Sequence, residues 1–199
     1  GKSIFFPKDP KAGGTWFAVD VYGTVLVLLN GAEEKHEVKL QYRKSRGLIV
    51  LDIISSESPK DFWSQVDLEN IEPFTLILYQ NNQLFQLRWN GNQKESISLD
   101  LNKKHIWSSA TLYPKEIRAK RSDWFYTFLE ANPVISKTKI LSFHRYTEEE
   151  NQQNGLVINR NEQMKTLSIT QSVIEKNKGT ILHYDLIAEQ EFTTSFITV

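Results

Sequence analysis

The feature that most constrains this chain is residues 13–31, GGTWFAVDVYGTVLVLLNG. Residues 15–19 read as a strand, residues 20–23 as a tight turn closed by Gly23, and residues 24–29 as a second strand. A turn ending in glycine between two β-prone runs predicts a hairpin, because glycine reaches positive φ without a Cβ clash. Residues 24–29 are almost wholly apolar, which predicts a strand covered on both faces. Asn30 breaks the run, and Gly31 lets the backbone leave sharply.

The rest of the chain supplies layers for that hairpin. Residues 4–6 read as a short strand, and residues 33–44 as surface loop. Leu48, Leu51 and Ile54 recur at helical spacing, predicting a helix over about residues 44–55. Ser58–Pro59–Lys60–Asp61 is a helix start, with a capping hydroxyl, proline at the first position and acid in the first turn. Residues 74–79 and 84–89 predict a hairpin with Phe74, Leu76 and Leu78 on one face and Thr75, Ile77 and Tyr79 on the other. A strand carrying Ile97, Leu99 and Leu101 follows, and residues 105–108 read as a fourth strand closing an antiparallel meander. Pro114 opens a helix with Ile117, Trp124, Phe125 and Phe128 or Leu129 inward, ending before Asn132–Pro133. Residues 134–145 fit helix or strand. Residues 156–158, 164–169, 181–187 and 192–199 read as four more strands. Two antiparallel groups separated by helices predict an α+β chain of two stacked sheets with helices outside.

At 199 residues the chain is long enough for one sizeable core, so residues 1–199 are read as a single domain. Lys plus Arg and Asp plus Glu number 24 each, giving no general attraction to nucleic acid. No apolar run approaches the roughly 20 residues needed to span a bilayer. There is no cysteine, and so no disulfide, thiolate metal site or thiol nucleophile within these residues. No signal peptide is visible, and the reading leans to the cytoplasm without fixing a compartment. The start, GKSIFF, lacks an initiator Met and reads as a truncated beginning.

Few residues stand out as chemistry. His36, His105, His144 and His183 lack metal-ligand spacing, and no glycine-rich phosphate loop is present, so no metal or cofactor is expected. Two readings fit Asn30 at the polar end of a covered strand. Its carboxamide could donate to a developing oxyanion, or it could cap the following turn. Ser109–Ala110–Thr111 lies between a strand end and a helix start, another place where polar groups converge. On the helix beyond it, Arg118 and Arg121 are three apart; one could face a substrate carboxylate, or either could serve an ion pair.

GGTWFAVDVYGTVLVLLN, YRKSRG and SSATLYPKEIRAKRSDWF together resemble the NRDE family, whose eukaryotic members are called transport and Golgi organisation protein 2. The resemblance covers essentially the whole chain and is strongest over residues 8–47. The family is similar in turn to N-terminal nucleophile hydrolases, which implies a four-layer αββα sandwich and amide cleavage by an N-terminal cysteine whose own amine acts as base. By that analogy Asn30 supplies an oxyanion donor, Ser109 stands where relatives often have Asn, and Arg121 sits at the pocket. The family's Met-Cys start and Asn-Arg-Asp-Glu motif are missing here. The sandwich is therefore expected without its first strand, and the chain as given is expected to be inert as a hydrolase. Two functions follow: an amide hydrolase of unknown substrate in the full-length protein, or a non-catalytic carrier on the same scaffold. The partner is a small molecule, N-acyl or apolar and acidic, with oligomeric state left open.

Overall fold

In a computed structural model describing residues 2–199, the 13–31 stretch folds as a hairpin of β2 (Phe17–Asp20) and β3 (Val25–Asn30). A two-residue strand, β1 (Ile4–Phe5), runs antiparallel along β2. The turn is built by Asp20, whose Oδ1 accepts from the backbone N–H groups of Tyr22 at 3.0 Å and Thr24 at 2.9 Å. Asp20 is wholly buried, and Lys2 Nζ lies 2.8 Å from its Oδ2.

After the 31–45 loop, the Ser45 hydroxyl accepts from Leu48 N–H and starts α1 (Arg46–Ser55). Ser58 caps α2 (Pro59–Gln65) in the same way, with Pro59 in its first turn. The meander then adds β4 (Phe74–Gln80), β5 (Gln83–Trp89) and β6 (Lys94–Leu99), giving a six-stranded antiparallel sheet in chain order. Its Leu26, Phe74, Leu76, Leu78 and Leu87 side chains pack against Ile49, Val50, Ile53 and Ile54 of α1 and Trp63 of α2. The face predicted from alternation, Phe74–Leu76–Leu78, is the one buried there.

Pro114 precedes α3 (Lys115–Ala131), and Ser136 caps α4 (Lys137–Tyr146), so residues 134–145, open between helix and strand in the sequence, are largely helical. Phe125, Phe143 and Leu156 form a second packing centre with Ile106, Trp124, Phe128 and Ile140. A minor ribbon pairs β7 (Asn159–Arg160) with β8 (Met164–Lys165). The chain ends in a separate three-stranded antiparallel sheet of β9 (Ser168–Glu175), β10 (Lys178–Asp185) and β11 (Gln190–Ile197), with β10 central. Ile174, Ile181 and Phe196 of this sheet meet Phe5, Phe17, Val19 and Val25 of the first. The ring of Phe196 stacks on Phe5 with centroids 4.5 Å apart. On its other side α4 approaches β9 and β10: Gln171 Nε2 donates to the Lys137 carbonyl, and Arg145 Nη2 to the Tyr184 hydroxyl.

Three expectations need correction. Residues 156–158 form no strand; the short β7 begins only at Asn159. Residues 105–108 form no strand. Ile106 turns into the α3–α4 packing centre, and Trp107 Nε1 instead donates to Gln86 Oε1 at 2.9 Å, so side chains rather than a ladder hold this segment. The strand expected over 164–169 is also misplaced. Its first part is the two-residue β8, Leu167 points outward, and the long strand begins at Ser168 and runs on through the polar Thr170–Gln171–Ser172 to Glu175.

Candidate functional site

Asn30 ends β3 opposite Phe74 and is exposed. It lines a cavity of about 290 Å³ together with Asp9, Thr15, Trp16, Ser45 and Gly47. Its backbone carbonyl accepts from Ser109 Oγ at 2.7 Å and from Thr111 Oγ1 at 3.4 Å. Those hydroxyls fix the backbone and leave the Asn30 carboxamide without a hydrogen-bond partner among the described residues. Gly31, at φ +86°, passes directly beneath Thr111; a Cβ there would come within 2.8 Å of Thr111 Cγ2. Sequence reasoning named Asn30 and Ser109 separately; the fold brings them into contact, with Ser109 behind Asn30 and outside the lining of its cavity.

The cavity floor is a backbone crossing. Thr15 N–H donates to the Gly47 carbonyl at 3.2 Å, and a Cβ on Gly14 would lie 2.4 Å from the Gly47 carbonyl carbon. Side chains larger than hydrogen are sterically shut out on both segments at this crossing. The GGTW and YRKSRG pieces, far apart in sequence, are therefore one structural unit.

Arg121 lies elsewhere. It is buried on α3, its Nε donates to Ser108 Oγ at 2.9 Å, and its Nη1 donates to the carbonyls of Asn154 and Gly155 at 2.9 and 2.5 Å. The guanidinium also sits 4.1 Å above the Tyr113 ring. Burial lowers its pKa, opposed by Tyr113. These contacts tie α3 to residue 108 and to the 154–155 turn, one residue from Ser109. Arg118, the other arginine singled out from sequence, lies 4.0 Å from Glu34.

Other cavities flank the contact between the two large sheets. One of about 340 Å³ opens between α4, β9 and the β2–β3 hairpin, lined by Phe17, Val25, Ile140, Leu141, Ile169 and Ile174, with Thr170, Gln171, Ser172 and His144 as its polar contributors. His144 faces this space with its ring accessible; crowding by the fold lowers its pKa, and the nearby Arg121 charge lowers it further. Another, of about 370 Å³, lies by β1 and the β10–β11 ladder, lined by Ile4, Phe5, Phe6, Ile181, His183 and Phe192. His183 Nδ1 is 3.0 Å from Thr170 Oγ1, and burial lowers its pKa against the opposing pull of Asp185. The His183 ring lies 6.2 Å from that of Trp16, which lines the Asn30 cavity.

A larger space of about 500 Å³ near Glu33, His36, Arg88 and Glu95 is polar. Its charges engage one another: Arg88 Nη1 lies 3.4 Å from Glu33 and 3.1 Å from Glu95. Among the described residues no group of His, Asp and Glu side chains gathers to hold a metal ion, and no helix is long and apolar enough to cross a membrane.

The cavity between α4 and β9 was missed from sequence because its lining joins the β2–β3 hairpin to a helix and a strand more than 100 residues further along the chain. The apolar positions Ile169 and Ile174 were the available signal, obscured by the polar stretch between them. No curated protein matches the chain. A family model described as Transport and Golgi organisation 2 matches residues 1–198, and the chain belongs to that family.

Proposed function

We propose that this chain is a binding domain for a small, largely apolar molecule held between its two large sheets, without chemistry of its own. The observation that carries this reading is the 340 Å³ apolar cavity between α4, β9 and the β2–β3 hairpin. Spaces of roughly 300–1,000 Å³ with mostly apolar walls and a few polar groups are those that hold small ligands. The chain also contains no cysteine to act as a nucleophile. Adding the neutral dye 1-aminoanthracene should give a saturable rise in fluorescence, lost when Ile174→Trp fills the space. A signal unchanged by Ile174→Trp, in a variant that keeps its circular dichroism, refutes the reading.

A second reading, an N-terminal nucleophile amide hydrolase, is favoured by Asn30. A carboxamide with free donors, on a backbone clamped by Ser109 and Thr111, meets the requirement for a preorganised oxyanion donor. The succession of α1 and α2, the six-stranded sheet, the three-stranded sheet and α4 supports a four-layer αββα arrangement for it. The nucleophile would have to lie outside residues 1–199. A chain carried to its native start should then turn over N-acyl amino acids, lose activity on Cys→Ala, and lose roughly 10²–10³-fold in kcat on Asn30→Ala. No turnover across a broad amide panel counts against it.

A further inference from the structure

A pocket of about 60 Å³ lies where the 107–110 segment and α3 meet the six-stranded sheet, with Thr75, Gln86, Arg88, Trp107, Ser108 and Arg118 in its lining. It shares no residue with the cavity between α4 and β9. Two guanidiniums border it, one from β5 and one from α3, and its lining contains no acid. Gln86 Oε1 accepts from Trp107 Nε1 at 2.9 Å, which fixes the amide and leaves Nε2 to donate. Ser108 Oγ accepts from Arg121 Nε at 2.9 Å, leaving its own hydrogen to donate. Thr75 spends its hydrogen on the Gly31 carbonyl at 3.0 Å. A space bordered by cations and donors suits an occupant that only accepts and carries negative charge.

Arg118 is the stronger sign. Its side chain is 24% exposed, yet it makes no hydrogen bond among the described residues; Glu34 Oε1 stands 4.0 Å from its Nη2, and Glu34 itself is well exposed. A guanidinium largely removed from water without a hydrogen-bonded partner is unfavourable. Arg88, 21% exposed, reaches the exposed Glu33 and Glu95 through Nη1, and exposed pairs of this kind contribute little. The Nε atoms of both arginines are shut off from solvent. Their Nη groups are not, so contact with a ligand falls to those.

We infer that this pocket binds one singly charged anion, the carboxylate of a small molecule or a free halide, on the Nη groups of Arg118 and Arg88. The single charge follows from the surroundings. Glu33, Glu34 and Glu95 already face the two guanidiniums, so a dianion meets twice the repulsion that a carboxylate does. Glu34 is the group the anion displaces: its exposed carboxylate relaxes into water, and the anion makes the hydrogen bonds to Arg118 that Glu34 does not. The acid-facing role expected of Arg121, whose Nε and Nη1 are held by Ser108, Asn154 and Gly155, passes to Arg118.

The Trp107 indole N–H, bonded to Gln86 in the lining, reports on the pocket in a nitrogen–proton correlation spectrum. The full chain is titrated with sodium acetate, sodium chloride and sodium sulfate near neutral pH, where acetate is ionised. Acetate should move this signal saturably, with half-saturation at roughly 10 mM or below, and sulfate should bind at least about 3-fold more weakly. Arg118→Gln, which breaks no hydrogen bond within the protein, should weaken acetate at least about 10-fold with unchanged circular dichroism. Glu34→Gln should tighten acetate about 2–5-fold, a gain that a misfolded variant cannot mimic. Saturation by chloride and not by acetate supports the site and assigns it to a free halide. A shift that rises linearly with all three salts, or that is equal in wild type and Arg118→Gln, overturns the inference. Sulfate binding tightest overturns the single charge, and weaker acetate binding by Glu34→Gln overturns the displacement. The dye response of the α4–β9 cavity is read separately, so neither result decides the other.

Discussion

The six-stranded and three-stranded sheets are both antiparallel, yet their burial is opposite in character. Along β4 nearly every residue is buried, because α1 and α2 cover one face and the 107–110 segment approaches the other. Along β11 nearly every residue is exposed and Phe196 alone is buried. The first sheet holds its shape through apolar area removed from water, worth roughly 25 cal/mol per Å². The second is positioned by a few contacts, chiefly Ile181 and Phe196 against the β1–β3 end. Regions with few buried contacts open locally at low cost, and binding surfaces are drawn from such regions. The cavities lie where the strongly packed sheet meets the weakly packed one.

Leu76→Ala tests the comparison most severely. Leu76 is fully buried in the six-stranded sheet, so its truncation should cost roughly 2–5 kcal/mol in denaturant unfolding. Thr193→Ala on exposed β11 should stay within about 0.5 kcal/mol. Similar costs at the two sites would dissolve the contrast.

Gly179→Ala probes how the second sheet is held. A Cβ at this position would sit 2.2 Å from Phe196 Cζ, so the ring must leave its stack on Phe5. The expected loss is about 1–3 kcal/mol, with faster amide exchange confined to β9–β11. Phe196→Leu added to Gly179→Ala should recover part of it; exchange accelerating equally in β4 and β5 would show that the sheets open as one unit.

Ser58→Ala should cost about 1 kcal/mol, since its hydroxyl accepts from Asp61 N–H at the start of α2. The same change at Ser136, which caps α4 over β9, should cost a similar amount globally but loosen dye binding as well. An α4 cap without effect on the dye would separate the helix from the cavity.

The smallest effect concerns acid. Asp185 accepts from the backbone N–H groups of Ala188 and Ile187 in the β10–β11 turn, and the Ala188 bond is the larger cause of its lowered pKa. A carboxylate whose folded pKa is depressed stabilises above its unfolded value and loses that contribution as pH falls through the folded one. The β10–β11 turn should therefore loosen only below pH 3.8, the ordinary value, and Asp185→Asn should flatten that response in an NMR titration. Titration of Asp185 at or above the ordinary value would contradict the turn geometry.

Much of the first sheet was legible in the sequence because its signals are local. Gly23 after Asp20, alternation over 74–79, Ser58–Pro59 and Pro114 each specify an element through nearby residues. The second sheet was read less well: β9 mixes Thr170, Gln171 and Ser172 with its apolar residues because that strand borders a cavity instead of a packed core. Residues 105–108 show the converse failure, since β-prone side chains there pack as individuals. At the candidate site Asn30 was visible as a polar stop on an apolar run. That Ser109 braces its backbone, and that Arg121 is consumed by carbonyls 33 and 34 residues downstream, depends on contacts no local pattern encodes.

The crossing of Gly14 and Gly47 has a consequence for how this scaffold can diversify. The 31–45 segment is anchored at one end by Gly31 N–H on the Pro73 carbonyl and at the other by Thr15 N–H on the Gly47 carbonyl. With both posts fixed, residues can be inserted between them at an entropic cost that grows only logarithmically with length. The wall of the polar space by Glu33 and His36 can thus acquire new recognition segments while the Gly14–Gly47 crossing stays in register.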